Sequence, residues 1–322
     1  MNGDVLQIGK KVVGDGEPVF IIAEIGINHN GSLETTRKMI DVAVNSGCDA
    51  VKFQKRTIDI VYSEEELNKP RAVPADIIVS AIGRKVLRDD DVKRLTDSNL
   101  QNTTNGDLKR ALELTLMEYQ EIDDYCRKKD ILWFASPWDE KSVDFLERFD
   151  PPCYKIASAS LTDDELLRYI RNKGRPIILS TGMSDMEMIK HAIEILGKKD
   201  LIIMHCTSVY QQTEEGDHGL GMINLEGIRT LKKEFDVPVG FSSHDTGIMP
   251  TYASLAFGAC AIEKHLTLYR AMWGSDQAAS IEPDNLRRLC RAAREFSLVR
   301  GDGIIKIYPE EIPIMKKLRR KV

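Results

Sequence analysis

What the chain lacks narrows it first. It has no CxxC pair: its six cysteines, Cys48, Cys126, Cys153, Cys206, Cys260 and Cys290, are scattered along 322 residues. That spacing suits buried thiols in a reducing cytoplasm better than a disulfide framework. It has no excess of basic charge. Lys and Arg number 45 against 50 Asp and Glu, a net charge of −5, which argues against a nucleic-acid partner. It has no long apolar run. The least charged segment, "TGIMPTYASLAFGACAI" at 246–262, is short for a bilayer span and contains Pro250 and internal glycines. It reads as a buried helix followed by a buried strand, and no membrane association is expected. The opening "MNGDVLQIGKKVVGDGEP" has no apolar h-region, so no signal peptide is expected and the location expected is cytoplasmic. Internal repeats and low-complexity tracts are absent.

What is present is an alternation. Residues 1–19 read as a β-hairpin with Gly14-Asp15-Gly16 as its turn. Eight short apolar runs follow: 20–26, 50–54, 132–136, 153–157, 176–180, 201–206, 238–242 and 259–265. Most end in polar or small residues, as strands buried on both faces do. Helical patterns lie between them, with Ser32, Asp139, Thr162, Ser184 and Asn224 as N-caps and Gly47 as a stop. The class is α/β, and eight strands is the number that closes a (β/α)8 TIM barrel. A doubly wound sheet is the weaker alternative, because no GxGxxG turn follows the first strand. The expected organisation is one barrel domain over 1–322. A long polar insertion, 58–111, separates strands two and three, either as an active-site lid or as a mobile surface excursion. The tail, 301–322, is expected to lie against the barrel or a neighbour.

Barrel enzymes carry their chemistry at the carboxyl ends of the strands. Those ends deliver Glu24; Lys52 and Gln54; Ser136 and Trp138; Lys155, Ser158 and Ser160; Ser180 and Thr181; His205, Thr207, Ser208 and Tyr210; Ser242, Ser243 and His244; and Glu263 and His265. Two lysines among hydroxyls and strand-end N–H groups suit a ligand with two or more negative charges. A structural ion pair inside the barrel is the plain alternative for Lys52 and Lys155. His244 and His265 end adjacent strands and could share one divalent metal, leaving positions open. His205 is equally readable as a core histidine. A carboxylate across the barrel could order a water or accept a proton. A phosphorylated small acid and a polyol aldehyde fit this inventory best.

The motifs "IAEIGINHNGS", "VKFQK", "YKIASAS", "IILSTGMS", "HCTSVY", "GFSSHDTG" and "EKHLTL…WGSDQAASIEP" occur in that order over about residues 18–300. Together they resemble the sialic acid synthase (N-acylneuraminate or nonulosonate synthase) family. The resemblance implies a (β/α)8 barrel that condenses phosphoenolpyruvate (PEP) with the open-chain aldehyde of a mannosamine-like or mannose-like sugar. Phosphate leaves by C–O cleavage, with Mn2+ or Mg2+ as cofactor. By the same resemblance, Lys52 and Lys155 hold the carboxylate and phosphate of PEP, and Ser136, Ser158 and Ser180 complete that pocket. Tyr210 covers it, Gln54 and Asp276 contact the sugar, and Glu24 lies near the reacting carbons. His244 and His265 are the implied metal ligands. Asn28 is expected beside the sugar pocket, and a homo-oligomer is possible.

Three departures from the family pattern bear on the acceptor. Ser160 stands where a glutamate is usual, and Ser208 where an asparagine is usual. The third is a C-terminal antifreeze-like domain, expected to be lacking, whose arginine reaches a partner's site. Arg56, Arg71 or Arg84 is the expected substitute. A phosphorylated hexose, giving a 9-phosphate ulosonic acid, is therefore an alternative acceptor. A Schiff-base lyase using Lys155 or Lys52 is an alternative chemistry, and a sugar-binding protein without activity is a third possibility.

Overall fold

The structure is a computed structural model that describes residues 5–208 and 219–320. Strands β1 (Val5–Ile8) and β2 (Lys11–Gly14) form the antiparallel hairpin. Its turn lies at Gly9-Lys10 and not at Gly14-Asp15-Gly16, because Gly9 takes the positive φ of 54° that a two-residue loop needs. Eight parallel strands follow: β3 (Phe20–Gly26), β4 (Ala50–Lys55), β5 (Leu132–Pro137), β6 (Tyr154–Ile156), β7 (Ile177–Ser180), β8 (Leu201–Cys206), β9 (Val239–Ser243) and β10 (Ala261–His265). Their order is β5-β4-β3-β10-β9-β8-β7-β6. Strands β5 and β6 lie side by side at the seam, so the sheet curls into a nearly closed barrel.

The two-residue period of the strands decides what enters the barrel. One set of side chains, including Ile21, Val51, Trp133, Tyr154, Leu179 and Phe241, packs outward against the helices. The other set points inward and changes character with height. At the floor it is apolar: Phe20, Ile22, Ala50, Phe134, Cys153, Ile178, Ile202 and Ala261. Leu6, Ile8 and Val13 of the hairpin join this cluster and plug the amino-terminal end. Continuing up the same faces, the next inward positions are Glu24, Lys52, Ser136, Lys155, Ser180 and Glu263, so the polar layer is confined to the carboxyl end.

The helices start where local chemistry supplies a cap. Ser32 accepts from the Thr35 amide at 3.2 Å, and Gly47 ends that helix in the left-handed region. Asp139 caps as expected, but two caps move by one residue, from Thr162 to Asp163 and from Ser184 to Asp185. At both, a carboxylate follows the hydroxyl and takes the amide bonds. A third start moves from Asn224 to Leu225, leaving Asn224 at a φ of 50°.

Three regions add to these expectations. The 58–111 insertion has helices and a small core of its own. It folds into five short helices, three of them Ala75–Gly83, Asp89–Asp97 and Asn105–Leu112, around a small core of Ile77, Ile78, Ala81, Leu87, Leu95 and Ala111. Helix Leu116–Lys128 has no counterpart among the expected elements; its capping box pairs Thr115 with Glu118. Residues 301–318 do not pack on the barrel: all but Met315 are exposed, Ile305 and Leu318 among them. No described helix is long and apolar enough to cross a membrane, and all six cysteines are free thiols.

Candidate active site

Four charges meet at the top of the barrel interior. Register places Glu24 beside Lys52 across β3 and β4, and their ion pair measures 2.7 Å. Lys155 reaches across the barrel to both oxygens of Glu263, each at 2.9 Å. Glu263 also stands 3.7 Å from Lys52 and accepts from Ser242 Oγ at 3.1 Å. All four side chains are at most 5% exposed. Burial pushes the Glu24 carboxyl above its usual range, and neighbouring Glu263 adds to this, against the pull of Lys52. Burial acts upward on Glu263 too, but Lys155 and Lys52 together hold it down to about 2. Burial lowers Lys155, and Lys52 reinforces this against Glu263. Burial also opposes the charge on Lys52, yet Glu24 and Glu263 outweigh it and raise its value.

A bulge sets the height of Glu24. The β3–β4 register slips between Glu24 and Gly26. Gly26 has a φ of +53°, and a Cβ there would lie 2.9 Å from Glu24 Oε1. Only glycine lets the carboxylate fold back over the strand, where it accepts from Gln54 Nε2 at 3.1 Å.

Above these charges lies a cavity of about 210 Å³, the volume of roughly seven liquid waters. Its walls include Glu24, Lys52, Gln54, Ser136, Trp138, Lys155, Ser158, Ser180, Ser208, His244, Glu263 and His265. Lys52 donates to Ser136 Oγ at 3.5 Å, and Ser158 Oγ accepts from the Gly182 amide at 3.0 Å. Ser180 Oγ and Trp138 Nε1 are buried without a hydrogen-bond partner among the described residues. Buried polar atoms are rarely left so, and two facing one cavity mark a place for a polar ligand.

The histidine pair fits a divalent ion in chemistry. The rings of His244 and His265 stand 5.2 Å apart between centroids. His244 Nδ1 lies 3.2 Å from the Thr207 carbonyl, which makes it the N–H nitrogen and gives Nε2 the lone pair. Burial lowers His265 to about 4, keeping its imidazole neutral, as ligation requires. Asp276 Oδ2 is 3.9 Å from His265 Nδ1. Two imidazoles beside one carboxylate suit an open-sided divalent site. Among the described residues no three such groups stand close enough to form a ready cage.

Not every expected site residue joins this cluster. Asn28 spends its amide on the Leu266 carbonyl and Ser280 Oγ, both at 2.8 Å, tying the first loop to the last. His29 accepts from the Gly31 amide at 3.0 Å, and burial lowers it to about 3. His205 donates to the Ile223 carbonyl at 2.9 Å and belongs to the packing. Arg84 is held by Glu118 and by the carbonyls of Ala111 and Glu113. Tyr210 lies outside the described residues. Glu263 and Trp138, both expected at strand ends though without an assigned role, do line the cavity. Alternation from His265 turns Glu263 inward, so the signal was there. Lys264, facing outward on β10, was missed. It is 1% exposed and pairs with Asp245 at 2.8 Å; it also reaches Ser243 Oγ at 3.2 Å and the Asp245 carbonyl. One ammonium group thus grips the residues on both sides of His244 while being the chain neighbour of His265.

Fold and cluster together define a (β/α)8-barrel enzyme with its polar groups gathered at the carboxyl ends of the strands. The chain belongs to the NeuB family, which it matches over residues 81–305. It is 32% identical over 313 residues to the human N-acetylneuraminate-9-phosphate synthase, covering 96% of this chain and 79% of that protein. It is 34% identical over 297 residues to the N,N'-diacetyllegionaminic acid synthase of Campylobacter jejuni, covering 91% and 80%. Among solved structures, the N-acetylneuraminic acid synthetase of Leptospira borgpetersenii, crystallised with citrate, superimposes with a TM-score of 0.76 at 29% identity over 99% of each chain.

Proposed function

We propose that the chain condenses PEP with the open-chain aldehyde of a mannosamine-like or mannose-like sugar to give a nonulosonic acid. C3 of PEP bonds to the aldehyde carbon, water adds at C2, and phosphate departs with its bridging oxygen as the C2–O bond breaks. The observation that carries this reading is the buried pair Lys52 and Lys155 beneath a cavity into which Ser180 Oγ and Trp138 Nε1 bring unused donors. Oriented charges and donors of this kind stabilise transition-state charge without reorganisation. In this reading the lysines bind the carboxylate and phosphate of PEP, and Ser136, Ser158 and Ser180 orient them. Glu24, whose carboxyl is raised by burial, moves a proton at the attacking water. Gln54 bonds to Glu24 and contacts the sugar. His244 and His265, with Asp276 beside them, would hold Mn2+ or Mg2+, which supplies Lewis-acid polarisation of the aldehyde.

The test is phosphate release from PEP over a panel of hexoses and 2-acylamido-hexoses, free and phosphorylated. Release with at least one sugar is expected, and none across the panel refutes the reading. Metal dependence is checked separately, by Mn2+ binding in electron paramagnetic resonance and by loss of turnover in EDTA. A Schiff-base lyase is the second reading, favoured by the lowered Lys155. Against it, both oxygens of Glu263 hold that ammonium group. Borohydride with pyruvate would trap an imine on Lys155 or Lys52 only if this second reading is right.

A further inference from the structure

We propose that Arg56 is a positioning residue for the condensation, holding the Gln54 amide in the one orientation that donates to Glu24. This inference rests on the condensation reading above.

Gln54 stands between the two. Its Nε2 donates to Glu24 Oε1 at 3.1 Å, and its Oε1 accepts from a guanidinium nitrogen of Arg56. A glutamine amide turned by 180° exchanges its oxygen and its nitrogen, and the turned form would set oxygen against oxygen at Glu24. Guanidinium nitrogens donate and never accept. With Arg56 in place only the amide oxygen can face it, and the nitrogen is left for Glu24. The backbone of Gln54 is fixed separately, since Tyr119 Oη donates to its carbonyl at 3.1 Å. The part still able to turn is the side-chain amide, which is the part Arg56 grips.

Arg56 is itself held for this task. It is 5% exposed, and its guanidinium lies over Trp138, 4.7 Å from the ring centroid. A planar guanidinium can stack on an indole and donate from its edge at the same time, which an ammonium group cannot. Its chain neighbour Lys55 has Glu113 at 2.8 Å, whereas the Arg56 side chain has no carboxylate within ion-pair distance among the described residues. A buried cation without a counter-charge is costly, and an apolar side chain would fill the same space without that cost. Both groups that Arg56 touches here, Gln54 and Trp138, wall the active-site cavity.

The charges facing Glu24 are Lys52 on β4, Glu263 and His265 on β10, and Lys155 across the barrel. Burial raises the Glu24 carboxyl, and the bond from Gln54 joins Lys52 in opposing that rise. Losing the bond lets the carboxyl rise further, so Glu24 then holds its proton to a higher pH. In the condensation this carboxyl moves a proton at the attacking water, so turnover should suffer more than PEP binding.

The test follows PEP-dependent phosphate release and, without turnover, the infrared titration of Glu24, read as the protonated-carboxyl band that Glu24→Gln removes. Arg56→Met should lower kcat about 10- to 100-fold, as loss of a charge-assisted bond predicts. The KM for PEP should stay within about threefold, because the loss falls on the chemical step. The Glu24 midpoint and the acid limb of the kcat profile should both move to higher pH. Gln54→Leu should move the midpoint in the same direction. The double variant should lose no more than Gln54→Leu alone, since residues that act through one contact are not additive. Losses that multiply in the double variant, or a midpoint unmoved in Arg56→Met, overturn the positioning role. A lower Tm with kcat and midpoint unchanged overturns it too, because Arg56 then serves the fold. Arg56→Gln carries the same comparison where Arg56→Met does not fold. If the wild type releases no phosphate with any sugar, the condensation reading fails, and the infrared midpoint alone decides whether Arg56 acts on Glu24 through Gln54.

Discussion

Replacing Lys155 with Met separates what this residue does for the fold from what it does for the ligand. In the native protein its ammonium lies 2.9 Å from both oxygens of Glu263. At an effective dielectric constant of about 20 such a contact is worth roughly 6 kcal/mol before desolvation is counted. Lys155→Met is close in shape, but it leaves Glu263 buried with only Lys52, at 3.7 Å, as counter-charge. Breaking one partner of a buried pair typically costs about 3–5 kcal/mol. For a chain of 322 residues that is a fall in Tm of about 4–7 °C. Adding Glu263→Gln removes the stranded charge and should restore most of the lost stability, while PEP-dependent phosphate release stays abolished. The pH dependence has a definite sign. Glu263 is held at about 2, below its ordinary 4.5, so its ionised form stabilises the native state. That contribution is complete above about pH 4.5 and is lost as pH falls towards 2. The stability gap between wild type and Lys155→Met should therefore narrow in acid. Denaturant titrations at a series of pH values measure it. A gap under about 1 kcal/mol at pH 7, or a double variant no more stable than the single one, would refute the argument.

Ser180→Ala and Trp138→Phe remove polar atoms with no partner in the described protein, so each should leave Tm unchanged or slightly higher. Each should still raise the KM for PEP about 5- to 30-fold, and a matching loss of Tm would show that the atoms serve the fold instead. Lys264→Met should weaken Mn2+ binding about 10-fold through the loosened His244 turn, as loss of an outer-shell partner does. PEP binding measured by calorimetry should stay within about twofold, and unchanged Mn2+ affinity would refute the positioning role. Because burial raises Glu24, an arriving anion should raise it further, and PEP binding should take up protons. Calorimetry in buffers of different ionisation enthalpy reads this directly, and net proton release would contradict it.

The sequence disclosed the barrel because its strands are buried on both faces and end in polar residues. Runs such as Phe20–Gly26 and Leu201–Cys206 coincide with β3 and β8 in full. The site was legible to the extent that alternation within a strand decides it: Lys52 and Gln54 share a face, and so do Glu263 and His265. What depended on distant partners was not legible. The Asn28 amide is consumed by groups 238 and 252 positions away, which no local pattern announces. The hairpin looks like a surface feature until Ile8 and Val13 meet Phe20 and Ile178 on the barrel floor. Helix Leu116–Lys128 did have a local signal, the Thr115–Glu118 capping box, but it follows a charged insertion whose small core around Ile78 and Leu95 is equally hard to see in a polar stretch.

The plain reading of the two lysines was a structural ion pair, and the functional one was anion binding. The geometry shows the first, and the proposed condensation asks for the second. Lys52 and Lys155 balance Glu24 and Glu263, so the barrel interior carries four buried charges with no net excess and remains tolerable without a ligand. PEP brings close to three negative charges, and a neutral cluster offers it no attraction from net charge. The asymmetry of the two carboxylates resolves this. Glu263 is fixed as an anion beneath both lysines, whereas burial already biases Glu24 towards its protonated form. A proton taken up by Glu24 leaves two ammonium groups facing one carboxylate, and the site becomes cationic only when an anion is there to pull the proton in. The carboxylate that ends the first barrel strand is then the adjustable member of the quartet, and Gly26 is glycine so that it can reach that place.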